Sequence, residues 1–158
     1  MSMEQIIAAV REFDGALVLM PEPGDDAPEV AWGDAFFYYA PDGRIPQNLQ
    51  PYGTIVTKDY PDDTASDLDT AGRWRVNIHV DRASFRQLTG EEPRHLTRPR
   101  DFAADDVVLP HPVYGALGWI AVVNPGAETT DTVLRLLRAA ADVEAGRNVV
   151  VPDQSLFQ

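Results

Sequence analysis

The chain has 158 residues, is 44% hydrophobic, sets 13 basic against 25 acidic side chains for a net charge of −12, and contains no cysteine. That length suits one ordinary domain with a buried core, and the missing cysteines exclude disulfides, thiolate nucleophiles, iron–sulfur ligation and cysteine zinc sites while fitting a reducing compartment. The acidic balance works against contact with phosphate backbones or anionic lipid, and no stretch nears the roughly 20 apolar residues of a membrane span.

Ser2 precedes Met3, Ile6, Ile7, Val10 and Phe13 at helical spacing, with Gln5 where a capping box requires it. The first element is therefore an amphipathic helix ending near Asp14-Gly15. Glu4, Arg11 and Glu12 interrupt its apolar residues, unlike a secretory signal, so the expected location is cytoplasmic. Ala16 to Met20 reads as a short strand stopped by Pro21, followed by a loop rich in breakers and charge from Glu22 to Pro28. Asp34 to Tyr39 is aromatic enough for a pleated surface, and Pro41-Asp-Gly-Arg44 closes it as a turn. Trp32, Phe36 and Tyr38 either line a ligand pocket or fill a core.

The β-branched run within Tyr52 to Lys58 predicts another strand, and acidic Pro61 to Gly72 an exposed loop. Arg73 to Val80 alternates strictly, with Trp74, Val76, Ile78 and Val80 on one face and Arg73, Arg75, Asn77 and His79 on the other, the period of a strand whose polar side points away from the core. Asp81 is placed to cap a short helix that buries Phe85 and Leu88 and ends at Thr89-Gly90. Arg94 to Arg100 concentrates basic residues, is broken by Pro93 and Pro99, and reads as a solvated loop. Asp106 to Leu109 and Trp119 to Val123 are two further strands. Thr129 or Thr130 then caps a last helix with Val133, Leu136, Leu137, Ala140 and Ala141 on one stripe and Gly146 as its C-terminal cap. Residues 1–147 are expected to form a single domain, with 148–158 a tail that docks as an extra strand or contacts a neighbouring chain.

Chemistry-bearing residues are dense only from His111 to Pro125. Gly115-Ala-Leu-Gly-Trp119 lacks the Gly-Lys-Ser/Thr ending of a phosphate loop and the three glycines of a dinucleotide fingerprint, and reads as a turn packing backbone tightly beneath Trp119, the anchor of a core strand. No Gly-x-Ser-x-Gly elbow is present. His79, His95 and His111 stand far apart, with no pairing that sets two on one face, so no metal and no cofactor is expected. His111, held between Pro110 and Pro112, is positioned to hydrogen-bond a backbone carbonyl.

Ala31 to Tyr39, Thr54 to Tyr60, Arg75 to Ile78 and His111 to Trp119 together resemble an uncharacterised family of small actinobacterial proteins, over nearly the whole chain. More distantly, the order of elements is similar to that of MmcQ/YjbR-like proteins: an N-terminal helix, a strand meander, a helix, and a tryptophan-bearing strand before a C-terminal helix. That resemblance implies a fold like the type III secretion chaperones and, for some relatives, DNA binding. The basic residues that often flank the tryptophan are replaced here by Ala116, Leu117 and Gly118, and no catalytic residues carry over.

The sequence thus predicts a two-layer α+β fold, its mainly antiparallel sheet joined by N-terminal, central and C-terminal helices. The expected function is non-enzymatic binding of a small molecule or protein, through Arg75, Asn77, His79, His111, Tyr114 and Trp119. Two alternatives stay open: an enzyme using His79 or His111 with Asp34 or Asp59 as an acid–base pair, and a DNA-binding protein, which the net charge disfavours. No membrane partner is expected, and pairing into a homodimer through the tail or a sheet edge is a further option.

Overall fold

The structure of the chain, a computed structural model, describes residues 1–156, with side chains through Arg147. Six strands form one open antiparallel sheet in the order β1 (Ala16–Leu19), β2 (Ala35–Tyr39), β3 (Gly53–Val56), β4 (Arg75–His79), β6 (Trp119–Val123) and β5 (Leu109–Pro110). Helices α1 (Met3–Arg11), α2 (Arg82–Thr89) and α3 (Thr130–Leu156) complete the expected α+β arrangement. The first two start as the sequence predicts. Ser2 and Gln5 form a reciprocal capping box on α1, and Asp81 accepts from the Ser84 backbone at the start of α2, which stops at Gly90 with a left-handed φ of 79°.

Strand register decides which side chains share a face. Ala35, Ile55, Val76 and Val122 lie side by side across four strands, and Phe37, Gly53, Ile78 and Ile120 form the next row. Both rows are buried beneath Ile6 and Val10 of α1, Phe85 of α2, and Val133 and Leu137 of α3. Each large apolar side chain so enclosed contributes about 1.5–3 kcal/mol relative to exposure. Gly53 has no side chain for a steric reason: a Cβ there would lie 2.9 Å from Leu137 Cδ2. The opposite face carries Phe36, Thr54, Asn77 and Ala121 in one row and Val56, Arg75 and Val123 in another, and segments 60–72 and 111–118 reach across part of it.

Three expectations are corrected. Asp106 is not in a strand: it has a φ of 58°, and the strand there is only Leu109–Pro110. Its carboxylate instead accepts from the backbone N–H groups of Gly126, Glu128 and Thr129 and from the Thr129 hydroxyl, an anion at the positive end of α3. The Thr129 hydroxyl bond, then the backbone donors, hold the Asp106 carboxyl down at about 2 against the opposing effect of burial. Second, Gly146 does not end α3, which continues to Leu156; glycine in a helix interior is unfavourable but tolerated. Third, Trp119 is half-exposed rather than a core anchor, and the buried positions of β6 are Ile120 to Val123. The expected contacts of the 148–158 tail fall on side chains outside those described.

Because Asp106 supplies a cap from outside the helix, Asp106→Ala is expected to lower the melting temperature by about 3 °C. Amide hydrogen exchange at Gly126 to Thr129 should quicken more than exchange in β4. Uniform loss of protection would instead mean that Asp106 has no local capping role.

Candidate functional site: a cleft beside His79 resting on a buried polar network

On the face of the sheet away from the helices, β4 places Arg75 and Asn77 side by side, as its period of two requires. Neither reaches solvent: Arg75 is 0% exposed and Asn77 3%. The acidic segment after β3 folds back over them, so the polar side of the strand is an interior. Four of the five guanidinium N–H groups of Arg75 donate to neighbouring acceptors. Nε donates to Asn77 Oδ1 (2.8 Å), Nη1 to Asp63 Oδ1 (3.0 Å) and Ser66 Oγ (2.9 Å), and Nη2 to Asp63 Oδ2, with His111 Nε2 3.1 Å away. Asn77 passes the chain on by donating to Thr54 Oγ1 at 3.0 Å. The two-pronged Arg75–Asp63 pair is the strong geometry for a guanidinium and a carboxylate. Burial works against the charge on Asp63, but Arg75 outweighs it and holds the carboxyl below its usual range.

His111 is held differently from expectation. Rather than donating to a backbone carbonyl, its Nδ1 accepts from the backbone N–H groups of Val113 and Tyr114, both at 3.0 Å. The lone pair must therefore sit on Nδ1 and the proton on Nε2. With Nε2 protonated, Arg75 Nη2 cannot donate to it, and the nearby carboxylate oxygen, Asp63 Oδ2, stands 3.7 Å away, beyond hydrogen-bond distance. Burial first, and the Arg75 charge second, push the His111 imidazolium down to about 4, with Asp63 opposing. His111 is thus a neutral cap for the turn after β5, and the Val80 N–H, donating to the Gly118 carbonyl at 3.0 Å, fastens that turn to the end of β4. Tyr114 stacks outside it with ring centres 5.0 Å apart and is 45% exposed.

The fastened turn forms one wall of a cleft. Beyond Tyr114 the chain makes a 3₁₀ turn at Gly115–Leu117 and reverses at Gly118, with φ 90°. A Cβ on Gly118 would also stand 3.3 Å from both His79 Nε2 and the Val80 carbonyl. His79, exposed at the end of β4, approaches the Leu117 carbonyl at 3.1 Å through Nε2. That carbonyl accepts, so Nε2 carries a proton, which in the neutral ring makes Nδ1 the acceptor. Trp119 lies against the ring at 5.6 Å between centres. The cleft has a volume of about 640 Å³, with His79 and the start of α2 on one side, Glu92 to His95 on another, and Ala116 to Gly118 on the third.

Of the acids lining it, Glu92 is paired with Arg82 and Arg86, and Asp81 caps α2. Arg94 makes no salt bridge among the described residues. The basic segment is shaped by Glu91, a residue to which the sequence gives no obvious prominence. Its buried carboxylate accepts from Arg100 Nη2 (2.7 Å), the Thr97 backbone (2.7 Å) and the Arg98 backbone (3.3 Å), and these bonds, led by that from Arg100, lower it to about 2. Folding around Glu91 turns Arg94 and His95 outward to the cleft.

The six residues expected to form one site therefore divide. His79 lines the cleft, with Trp119 stacked against it, while Arg75, Asn77 and His111 lie in the network and Tyr114 covers His111. Neither His79 nor His111 is bonded to Asp34 or Asp59, so no expected acid–base pair forms. Asp34 accepts from the backbone and hydroxyl of Thr57, the Tyr60 hydroxyl and Lys58 Nζ. Asp59 accepts from the Leu68 backbone. Among the described residues no group of three or more His, Asp or Glu is gathered as a metal site, and no helix is long and apolar enough to cross a membrane.

An open antiparallel sheet, helices on one face and a polar network under loops on the other, define an α+β protein with a cleft at the end of its central strand. The model of a family of unknown function (DUF6194) matches residues 1–149, and the chain belongs to that family. No curated protein and no solved structure shows significant similarity to it.

Proposed function

We propose that this protein is a non-enzymatic binding module for a small acidic molecule, held in the cleft beside His79. One observation carries the reading: a 640 Å³ concavity in which Arg94 has no salt-bridge partner among the described residues while the acids lining it are already engaged. The volume falls within the range of small-molecule sites, and a guanidinium at its mouth favours a carboxylate or phosphate. His79 Nδ1 offers an acceptor for a hydroxyl or protonated group on the same molecule. The walls sit on β4 and on a turn fastened to it, so the site is formed before the ligand arrives. The order of helices and strands is compatible with the more distant MmcQ/YjbR-like relationship, but a net charge of −12 argues against nucleic acid as the ligand. The lack of cysteine suits a cytoplasmic home.

A thermal-shift screen with small carboxylic acids and phosphate esters tests this. A ligand at a hundred times its Kd adds about 2.7 kcal/mol of apparent stability. The shift should fall at least about tenfold in apparent affinity in Arg94→Ala and in His79→Ala. Short duplex DNA serves as a competing probe. If no acid raises the melting temperature, if both variants bind as the parent does, or if DNA alone binds, the reading is wrong.

A further inference from the structure

Behind His79 a second concavity of about 140 Å³ lies between α2 and α3, sharing only the His79 to Asp81 corner with the cleft. Its walls are apolar where α3 passes, at Leu136, Ala140 and Val143, and Ser84 closes the other side. Tyr52 lines it. This tyrosine is 4% exposed, and its hydroxyl has no hydrogen-bond partner among the described residues. The half-buried Tyr60 hydroxyl, by contrast, donates to Asp34. Burial pushes the Tyr52 phenol upward, so it stays protonated and offers an O–H without an acceptor. An unpaired buried hydroxyl is costly, and any acceptor that enters recovers that cost.

The rim sets the charge of the visitor. Glu144 and Arg147 pair with each other at 3.0 Å, and Asp81, held by the backbone and hydroxyl of Ser84, leaves one uncancelled negative charge on the rim, which turns anions away. The volume is close to that of an engineered apolar cavity able to hold one benzene molecule. We propose that this groove is a second binding site, for a neutral, ring-sized molecule or group whose carbonyl oxygen accepts from the Tyr52 hydroxyl. Apolar walls take the ring, and the single donor orients it. The site is independent of the acidic ligand proposed for the cleft.

Cyclopentanone is a suitable probe, titrated into the full-length protein and followed by amide chemical shifts, with Tyr52→Phe and Arg94→Ala alongside. The parent should show saturable shifts at Tyr52, Ser84 and Ala140. Tyr52→Phe keeps the ring in the core, so it should melt no lower than the parent while binding the probe at least about fivefold more weakly, the loss of one net hydrogen bond. Arg94→Ala should bind it unchanged. The proposal is overturned if no saturable shift appears in the parent, if Tyr52→Phe binds equally well, or if Arg94→Ala weakens binding as much as Tyr52→Phe does. Failure here leaves the acid screen on the cleft untouched, and failure of that screen leaves this titration untouched.

Discussion

Arg75→Met is expected to destabilise the protein by roughly 3–5 kcal/mol, the usual cost of stripping one partner from a buried ion pair. Arg75 is 0% exposed, and it alone neutralises Asp63 while bonding Ser66 and Asn77. Methionine fills similar volume, so a cavity contributes little and the loss is electrostatic: an ionised Asp63 with no counter-charge and two polar side chains without their donor. Such a change is a large fraction of the 5–15 kcal/mol by which domains are typically stable. Adding Asp63→Asn should restore at least half of the loss, because the uncompensated charge is then gone. Urea denaturation of the parent, both single variants and the double variant gives the coupling directly. A cost below about 1 kcal/mol for Arg75→Met would mean that solvent reaches Asp63 and that the network is not closed.

Acid should weaken the protein before its carboxylates titrate. The unfolded chain takes a proton on His111 near 6.5, whereas the folded protein resists until about 4. Between those values the unfolded state binds the extra proton, so acid favours it. The stabilisation is whole above about 6.5, declines as pH falls, and is gone near 4, for a total of roughly 3 kcal/mol. The carboxyls of Asp63, Glu91 and Asp106, all held low in the folded state, add their own losses beneath that window. His111→Asn separates the two effects, since an asparagine oxygen can accept from Val113 and Tyr114 in place of Nδ1 but does not titrate. The variant should be less stable at pH 7 and lose the slope between about 6.5 and 4. A slope of unchanged size in the variant would assign it to other groups.

Much of this fold was legible because local signals decide it. The Ser2–Gln5 capping box, the Asp81 cap, the glycine stop at Gly90 and the period of two from Trp74 to Val80 each act through neighbours a few residues away, and each recurs in the structure. What was not legible depends on distant partners. Asp106 lies in an apparent strand run, but its role is set by Thr129 on the far side of β6. The acidic run after Tyr60 resembles a solvated loop, yet Asp63 and Ser66 are drawn inward by one arginine. The site divided for the same reason. Alternation put Arg75, Asn77 and His79 on one face without indicating that a loop buries the first two and spares the third. Glu91 could have been suspected only as an acid just before a basic stretch, and its several donors are visible only in three dimensions.

Lys58 is the only lysine in the chain, and its ammonium is bound to the carbonyls of Val30 and Trp32 and to Asp34. Acylation, ubiquitin-type conjugation and amine-directed cross-linking therefore have one side-chain address in this protein. To react, that amine must let go of both carbonyls and leave Asp34, 0% exposed, without its cation. For this chain, covalent marking of a lysine side chain means breaking the ties that hold the segment before β2 to the end of β3.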